Sequence, residues 1–197
     1  SHGIARAAAM VLTVEQACGI VAARGPGSRL EVEIGSGNGH FLTQYGRDRS
    51  DTLLIGVDLK PQRCDKAADK AERLGLAHVL FVCARAEALL DSLGPATVDA
   101  FHLYFPDPWP KSRHRRRRFL RQPHVETLHE RLRPGGLLYF ATDFFDYYVQ
   151  AKLLLLAHGG FSLEEKTPPP EAFVSVFGRR FADWGRSFHA VVARRGG

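Results

Sequence analysis

The sequence predicts an α/β protein built on a doubly wound, mostly parallel sheet. Three observations predict this fold class: apolar runs alternate with helical segments, a glycine-rich loop joins the first strand to a helix, and the second strand ends in an acid. With 197 residues, of which 45% are hydrophobic and 24% charged, the chain is expected to form a single domain over residues 1–197.

Each strand is predicted where a short apolar run is bounded by turn residues, and each helix where apolar side chains recur at helical spacing. Pro61 opens the third helix, and Gly75 is expected to close it. In chain order, the predicted elements are a helix at 13–24, a strand at 30–34, a helix from Asn38, a strand at 53–57, a helix at 61–74, strands at 78–83 and 98–105, a helix at 115–132, a strand at 137–142, a helix at 143–156 and a strand at 187–193.

The glycine-rich loop has the pattern acid-x-Gly-x-Gly-x-Gly, from Glu33 in the first strand to Gly39. Glycine lets the backbone take positive φ and approach a ligand closely. A dinucleotide-binding loop would have glycine at position 40, where this chain has His40. The pattern instead resembles the first motif of the S-adenosylmethionine-dependent methyltransferases, although many glycine-rich loops are plain turns.

Asp58 ends the second predicted strand, nineteen residues beyond Gly39. An acid at the tip of this strand can accept hydrogen bonds from both hydroxyls of a ribose. The alternative is that Asp58 caps the helix that begins at Pro61. The separation between loop and acid favours the ribose-binding role.

The positive charge of the chain is concentrated just after residues 101–110, FHLYFPDPWP. Residues 111–121 hold seven of the 27 cations and no acid, which leaves 20 cations against 21 acids elsewhere. A local cationic patch indicates that a polyanion docks there, whereas a solvated helix face is the structural alternative. The rigid Pro-Asp-Pro-Trp turn just before it favours the functional interpretation. The seven are Lys111, Arg113, Arg115, Arg116, Arg117, Arg118 and Arg121.

The run FPDPWPKSRHRRRR at 105–118 resembles the sequence pattern of the tRNA (guanine-N7)-methyltransferase family. Supporting segments follow the family's order: EIGSGNG at 33–39, GVDLK at 56–60, LRPGG at 132–136 and ATD at 141–143. The resemblance covers about residues 28–195. It implies a Rossmann-like class I methyltransferase fold with seven strands and an antiparallel edge strand. It also implies S-adenosylmethionine as cofactor and tRNA as partner, methylated on N7 of the guanine at position 46 in the variable region.

The resemblance implies roles for individual residues. Asp107 would be the catalytic carboxylate between cofactor and guanine. Trp109 would stack on a base or pack in the core, and Asp143 would contact the substrate or cap the following helix. The cofactor-binding residues would be Glu33, Gly35, Gly37, Gly39, Asp58, Arg85, Ala86 and Asp107. The substrate-binding residues would be Lys111, Arg113, His114, Arg115, Arg116, Asp143 and Ser175.

Three features depart from the family pattern. Arg85 stands where family members usually have an acid for the adenine amino group, and Glu87 lies two residues late as a substitute. In the late Thr-x-x-Glu motif, Ser175 keeps the hydroxyl and Gly178 replaces the carboxylate. About a dozen residues precede the first helix, where the family often has a basic extension. These departures predict weaker affinity for cofactor and substrate.

The remaining composition excludes several classes of site. Three cysteines, Cys18, Cys64 and Cys83, fit neither a disulfide framework nor a metal clip, so reduced thiols and a cytoplasmic location are expected. His124 and His129 are five residues apart, which does not suit zinc on one helix face, so no metal is expected. No apolar run reaches membrane length or resembles a signal peptide.

Two other functions compete with the enzyme. A non-catalytic RNA-binding relative would keep the cations and lose catalysis through Arg85 and Gly178. A small-molecule methyltransferase of the same fold is disfavoured by the concentrated cations, because such an enzyme has no polyanion to dock.

Overall fold

The structure, a computed structural model, describes residues 10–197. The expectation about a short segment before the first helix falls largely on residues 1–9, which lie outside the described residues. The strands are β1 Arg29–Ile34, β2 Thr52–Asp58, β3 Val79–Cys83, β4 Val98–Tyr104, β5 Leu132–Thr142, β6 Phe161–Leu163 and β7 His189–Arg195. The helices are α1 Val14–Ala23, α2 His40–Tyr45, α3 Pro61–Arg73, α4 Ala86–Ser92, α5 Gln122–Arg131 and α6 Phe145–His158.

The strands form one sheet in the order β3-β2-β1-β4-β5-β7-β6. The pairs among β1 to β5 are parallel, and β7 runs antiparallel to both β5 and β6. The predicted doubly wound sheet with an antiparallel edge is therefore confirmed. The antiparallel strand is β7, and the three-residue β6 lies beyond it at the margin.

The order of the strands reverses between β1 and β4, which are direct neighbours. In open α/β sheets, ligands bind at such a switch point, outside the carboxyl ends of the strands. Because β1 to β5 are parallel, the residues that follow them share one edge of the sheet. That edge carries the glycine loop after β1, Asp58 at the end of β2, Arg85 after β3, Asp107 after β4 and Asp143 after β5.

The sheet is held by a core on both of its faces. All seven residues of β2 are buried, which explains why its sequence is a continuous apolar run rather than an alternating one. The helix α1 covers one face and begins at a capping box, in which Thr13 and Gln16 bond each other's backbone N–H groups.

The predicted helix over residues 115–132 is wrong in its first half. Residues Ser112–Arg117 form a short 3₁₀ turn, Arg118 is extended, and α5 begins only at Gln122. Pro123 explains this start, because its ring and missing N–H suit the first turn of a helix and disrupt an interior one. The exposed cations consequently lie on a surface turn and not on a helix face.

Two elements were not predicted from the sequence, α4 and β6. In addition, β5 begins at Leu132, five residues before the predicted start at 137, and its register with β4 is irregular between Val98 and Ala100. Among the helices described between residues 10 and 197, none is long and apolar enough to cross a membrane.

Candidate active site

The glycine loop is fastened to the end of β2. The N–H groups of Gly35 and Ser36 donate to the Val57 carbonyl at 2.9 and 3.1 Å. The Gly37 N–H donates to Asp58 Oδ2 at 2.9 Å. The structure therefore brings together the loop and the acid that the sequence analysis had paired.

Asp58 is engaged on both carboxylate oxygens. Besides Gly37, it accepts the Lys60 N–H on Oδ1 at 3.0 Å, just before α3 begins at Pro61. It thus orders both the glycine loop and the turn into α3, while its ribose-binding role remains a prediction. Each carboxylate oxygen has two lone pairs, so acceptor capacity remains for a ligand.

Glu33 is a buried carboxyl group, 4% exposed, in the strand that leads into the loop. Its Oε1 has no hydrogen-bond partner within the described residues. Burial raises the pKa of Glu33 well above its usual value, and the charge of nearby Asp58 raises it further. An unpaired buried carboxyl is costly, and a cationic ligand would explain why it is there.

Gly39 closes the loop as the residue before α2, in the left-handed conformation with φ of 77°. It packs directly against Ala67 of α3 and Phe81 of β3. The last glycine of the loop is therefore required for packing between elements, whereas Gly35 and Gly37 border open space.

Asp107 is exposed between Pro106 and Pro108 in the loop after β4. Since β4 pairs with β1 on one side, this loop neighbours the glycine loop at the switch point. The two prolines restrict the backbone on either side of the exposed carboxylate.

Trp109 is half-buried at the end of the same loop. The Arg117 guanidinium lies 5.0 Å from its ring centre, and the His114 ring meets it edge-on at 5.8 Å. The tryptophan therefore packs against the cationic turn itself. A base stacking on the Arg117 side would have to displace that guanidinium.

The cationic turn follows this loop and is mostly exposed. Arg113 Nε donates to His114 Nε2 at 3.3 Å, and Arg115 forms an ion pair with Asp146 of α6 at 2.9 Å. The Arg116 side chain has neither a hydrogen bond nor an ion pair within the described residues. We call the exposed group the arginine patch; it comprises Lys111, Arg113, Arg115, Arg116 and Arg117, with the half-buried His114 among them.

Arg118 corrects the expectation that all seven cations of residues 111–121 form a patch for a polyanion. Its side chain is 0% exposed and bonds Pro108, Trp109, Asp146 and Gln150. It is therefore a buried structural cation. Its partners were not predicted from the sequence, although the spacing of Asp146 and Gln150 places both on one face of α6.

Asp143 is exposed at the end of β5. The Phe144 N–H ahead of α6 is accepted by the Thr142 hydroxyl at 3.1 Å, not by the Asp143 carboxylate. The helix-capping alternative for Asp143 is thus not supported, and the carboxylate is left exposed at the edge that carries the glycine loop.

Ser175 lies in a turn between β6 and β7. Its hydroxyl accepts the N–H groups of Phe177 and Arg179, both at 3.3 Å, and so organises the turn. Phe177 and Trp184 are exposed nearby, 79% and 47% respectively. This turn lines a cavity together with His40, the first residue of α2 after the glycine loop.

No group of three or more His, Cys, Asp or Glu side chains suited to a metal ion occurs among residues 10–197. The acids at the carboxyl edge are instead engaged by backbone N–H groups or exposed singly.

The chain is similar in sequence to known methyltransferases. A family model described as "Putative methyltransferase" matches residues 28–187. A tRNA (guanine-N(7)-)-methyltransferase of Syntrophotalea carbinolica is 32% identical over 173 residues, which cover 84% of this chain and 74% of that protein. The chain belongs to the tRNA (guanine-N(7)-)-methyltransferase family.

Other members of the family are matched over less of their length. The enzyme of Geobacter metallireducens is 38% identical over 124 residues, 62% of this chain and 59% of that protein. The enzyme of Thermus thermophilus is 35% identical over 168 residues, 84% of this chain and 54% of that protein. The chain therefore spans just over half the length of these two relatives.

Solved structures show the same fold. The 16S rRNA (adenine(1408)-N(1))-methyltransferase from Catenulisporales acidiphilia has a TM-score of 0.66 at 17% identity and covers 95% of both chains. The antibiotic-resistance methyltransferase Kmr has a TM-score of 0.63 at 21% identity, with 94% of this chain and 95% of that chain covered. At these identities the likeness concerns the fold alone.

The structure shows where two of the departures from the family pattern lie and what they contact. The Arg85 side chain is 72% exposed just before α4, 3.8 Å from Glu87 Oε2. Glu87, the substitute considered for the missing acid, also meets His124 Nε2 at 3.3 Å and so points toward α5. Gly178 lies within the turn organised by Ser175, and its N–H donates to the Ser175 carbonyl at 2.9 Å.

Proposed function

We propose that this protein transfers a methyl group from S-adenosylmethionine to N7 of a guanine in tRNA, at position 46 of the variable region. The observation that carries the proposal is the place of Asp107. Its loop lies at the switch point between the glycine loop after β1 and the arginine patch that follows in the chain. In this proposal the cofactor crevice and the surface that docks the polyanion lie on either side of the Asp107 loop.

The residues of the crevice fit S-adenosylmethionine. Glu33 offers a buried carboxyl whose Oε1 has no partner in the described residues, which suits the ammonium group of a methionine moiety. Asp58 retains acceptor capacity for ribose hydroxyls at the tip of β2. Gly35 and Gly37 leave open space where side chains would otherwise project.

The bound cofactor supplies a methyl group on a positively charged sulfur. N7 of guanine carries an in-plane lone pair and no proton, so the protein needs no general base for the attack. Its task is alignment and charge stabilisation as positive charge develops on the purine. Asp107 is suited to both, because it can accept the N–H groups of the guanine edge and balance the developing cation.

The arginine patch is suited to the tRNA backbone. Lys111 and the exposed arginines present cations from one short turn, while Arg118 is withdrawn into the interior. Asp143 and Ser175, on the neighbouring loops of the same edge, are proposed to contact the substrate. Since tRNA is the proposed partner, a cytoplasmic location is proposed with it, and residues 1–197 are proposed to act as one domain.

The decisive experiment is methyl transfer from labelled S-adenosylmethionine to unmodified tRNA, with the modified nucleotide mapped. Label at the variable-region guanine supports the proposal, and a tRNA lacking that guanine is the matched control. Tight, salt-sensitive tRNA binding without cofactor binding or transfer would favour the non-catalytic relative instead, for which Arg85 and Gly178 are the specific reasons.

Removing two cations of the patch tests its role. The double variant Arg113→Ala/Arg116→Ala is expected to weaken tRNA binding and to flatten the dependence of log K on log salt, by about 0.7–0.9 for each phosphate that the variant no longer neutralises. The change should be equal for different tRNA sequences, because phosphates carry no sequence information. Binding is measured by titration between low and moderate salt.

The control for this variant is Arg63→Ala/Arg73→Ala, which removes two exposed cations from α3. Its salt slope should match that of the wild type. An unaltered slope in the Arg113/Arg116 variant would show that the patch is an ordinary solvated surface.

Glu33→Gln is expected to change how stability depends on pH in the ligand-free protein. The pKa of Glu33 is raised in the folded state, mainly by burial, above the unfolded value of about 4.3. The folded state therefore binds more protons between these two values, and the free energy of unfolding falls as pH rises through that window. The Gln variant lacks this fall, so its stability relative to wild type should increase with pH, measured by denaturant unfolding at several pH values.

The same residue gives a test of the cofactor site. A cationic ligand beside Glu33 would lower its pKa again, so binding of S-adenosylmethionine should release protons. Calorimetry in buffers of different ionisation enthalpy measures this release, which should be lost in Glu33→Gln together with about 10-fold or more in affinity. Glu130→Gln, on the exposed end of α5, is the control; proton release that persists in Glu33→Gln would contradict the assignment.

A further inference from the structure

The loop that carries Asp107 is strained at both of its ends. Phe105 and Trp109 have positive φ values of 49° and 44°, which are uncommon for residues other than glycine. Such conformations persist only where surrounding contacts enforce them, and they cluster at functional sites. What enforces them here therefore also determines where Asp107 points.

The two ends are held differently. At Phe105 the backbone N–H donates to the Ala141 carbonyl of β5 at 2.8 Å, and the ring stacks on Phe181 with centres 4.5 Å apart. This end is anchored by the sheet. At the other end, Pro108 has no N–H group, so hydrogen bonds can hold its backbone only through donors to its carbonyl.

Arg118 supplies those donors. Its Nε donates to the Pro108 carbonyl at 2.6 Å, and one terminal nitrogen donates to the Trp109 carbonyl at 3.4 Å. The guanidinium is fixed from the opposite side by α6, through Asp146 Oδ2 at 2.9 Å and Gln150 Oε1 at 2.5 Å. A planar fork of five donors suits this task, because it bonds the loop and the helix at once.

The Arg118 side chain is itself held in place by its surroundings. The side chain is fully buried, with its guanidinium carbon 4.9 Å from the ring centre of Tyr147 and 5.5 Å from that of Phe144. A buried charge is tolerated only when it is paired and hydrogen-bonded, so breaking any of these bonds is penalised. Such a residue cannot take a phosphate from solvent.

We propose that Arg118 is a positioning residue for methyl transfer, which acts on Asp107 through the carbonyls of Pro108 and Trp109. This inference rests on the proposed function of Asp107. The guanidinium holds the far end of the Pro-Asp-Pro loop, so the carboxylate is presented to the crevice in one orientation before the substrate arrives. The carboxylate then does not have to be ordered when the substrate binds, which lowers the entropic cost of the reaction.

The contacts of Arg118 are also linked to the arginine patch. Asp146 accepts hydrogen bonds from Arg118 on Oδ2 and from Arg115 on Oδ1, both at 2.9 Å. The Arg115 side chain is half exposed, whereas Arg118 is buried. The Asp146 carboxylate therefore bonds both the arginine patch, through Arg115, and the residue that holds the Asp107 loop. The position of the patch is thereby coupled to the position of that loop.

The test is Arg118→Lys, which keeps the charge and loses the planar fork. We expect kcat to fall about 10-fold or more, since small misplacements of reacting groups have effects of this size, while the KM for tRNA and the salt slope stay unchanged. The control is Arg131→Lys, because Arg131 is also largely buried and donates to a backbone carbonyl, that of Leu90, at 2.7 Å. The Arg131→Lys variant should have a lower thermal stability than the wild type and an unchanged kcat.

A double-mutant cycle separates positioning from general destabilisation. In an Asp107→Asn background, Arg118→Lys should have almost no further effect on the single-turnover rate, because the group it positions is already altered. An equal fractional fall in both backgrounds, or a wild-type kcat for Arg118→Lys, would overturn the inference. Should Arg118→Lys fail to fold, the same cycle with Gln150→Ala, which removes one anchor of the guanidinium, decides the question.

Failure of the proposed function leaves a different result. In that case Asp107→Asn itself would methylate tRNA at the wild-type rate, or the wild-type protein would transfer no methyl group. An inactive Asp107→Asn together with a fully active Arg118→Lys refutes only the positioning role.

Discussion

Asp107→Asn is expected to lower the single-turnover rate of methyl transfer by about 10²–10³-fold, with little change in tRNA affinity. The substitution keeps the size of the side chain and one hydrogen-bond acceptor but removes the negative charge. That charge matters most in the transition state, when the purine becomes cationic, and less in the bound ground state. Rates are measured with enzyme in excess over tRNA, and affinity by equilibrium binding.

The control is Asp69→Asn, which neutralises an exposed acid on α3. Its rate and affinity should match those of the wild type, so a general effect of removing negative charge is accounted for. A large loss of tRNA affinity in Asp107→Asn with an unchanged single-turnover rate would mean that Asp107 binds substrate and does not promote the chemistry.

The fold was predictable because its signals are local. The apolar run of β2 is buried along its whole length, and the glycine loop stands directly after β1, so neither depends on distant parts of the chain. The common edge of the acids was predictable for the same reason. Once the strands are parallel, residues that follow them must lie at one end of the sheet.

The arginine patch shows where sequence patterns are insufficient. Arg116 and Arg118 are two residues apart in one run of cations, yet one is exposed and the other fully buried. The difference comes from Asp146 and Gln150, which are 28 and 32 residues further along the chain. Composition alone could not reveal that α6 returns beneath this turn, and a run of cations is usually interpreted as solvated throughout.

The position of the helix break depended on the same tertiary contacts. Residues 115–132 have helical composition, and Pro123 was compatible with a helix start as well as an interruption. In the structure Arg118 is extended, because its guanidinium bonds the Asp107 loop instead of remaining on a helix surface. The burial of this side chain, together with Pro123, thus accounts for the error in the predicted helix at residues 115–121.

Substitutions at two glycines of the loop are expected to separate an effect on stability from an effect on cofactor binding. Gly39→Ala is expected to lower the melting temperature by roughly 10 °C, because overpacking and left-handed strain together reach about 2–5 kcal/mol in a domain of this size. A Cβ at this position would lie 2.7 Å from Ala67 Cβ and 2.8 Å from Phe81 Cζ, with φ at +77°. Both neighbours are buried in the core and cannot withdraw.

Gly37→Ala is the matched comparison, because Gly37 also has positive φ, +54°, but a Cβ there would meet no atom of the described chain within 4 Å. Only the strain term applies, so its melting temperature should fall by a few degrees, about 1–2 kcal/mol. Its Cβ would project into the space assigned to the cofactor, and the affinity for S-adenosylmethionine should fall by about 10-fold or more. Thermal unfolding and calorimetry on both variants provide the measurements. If Gly37→Ala binds the cofactor as tightly as the wild type, the open space beside this loop is not the cofactor site.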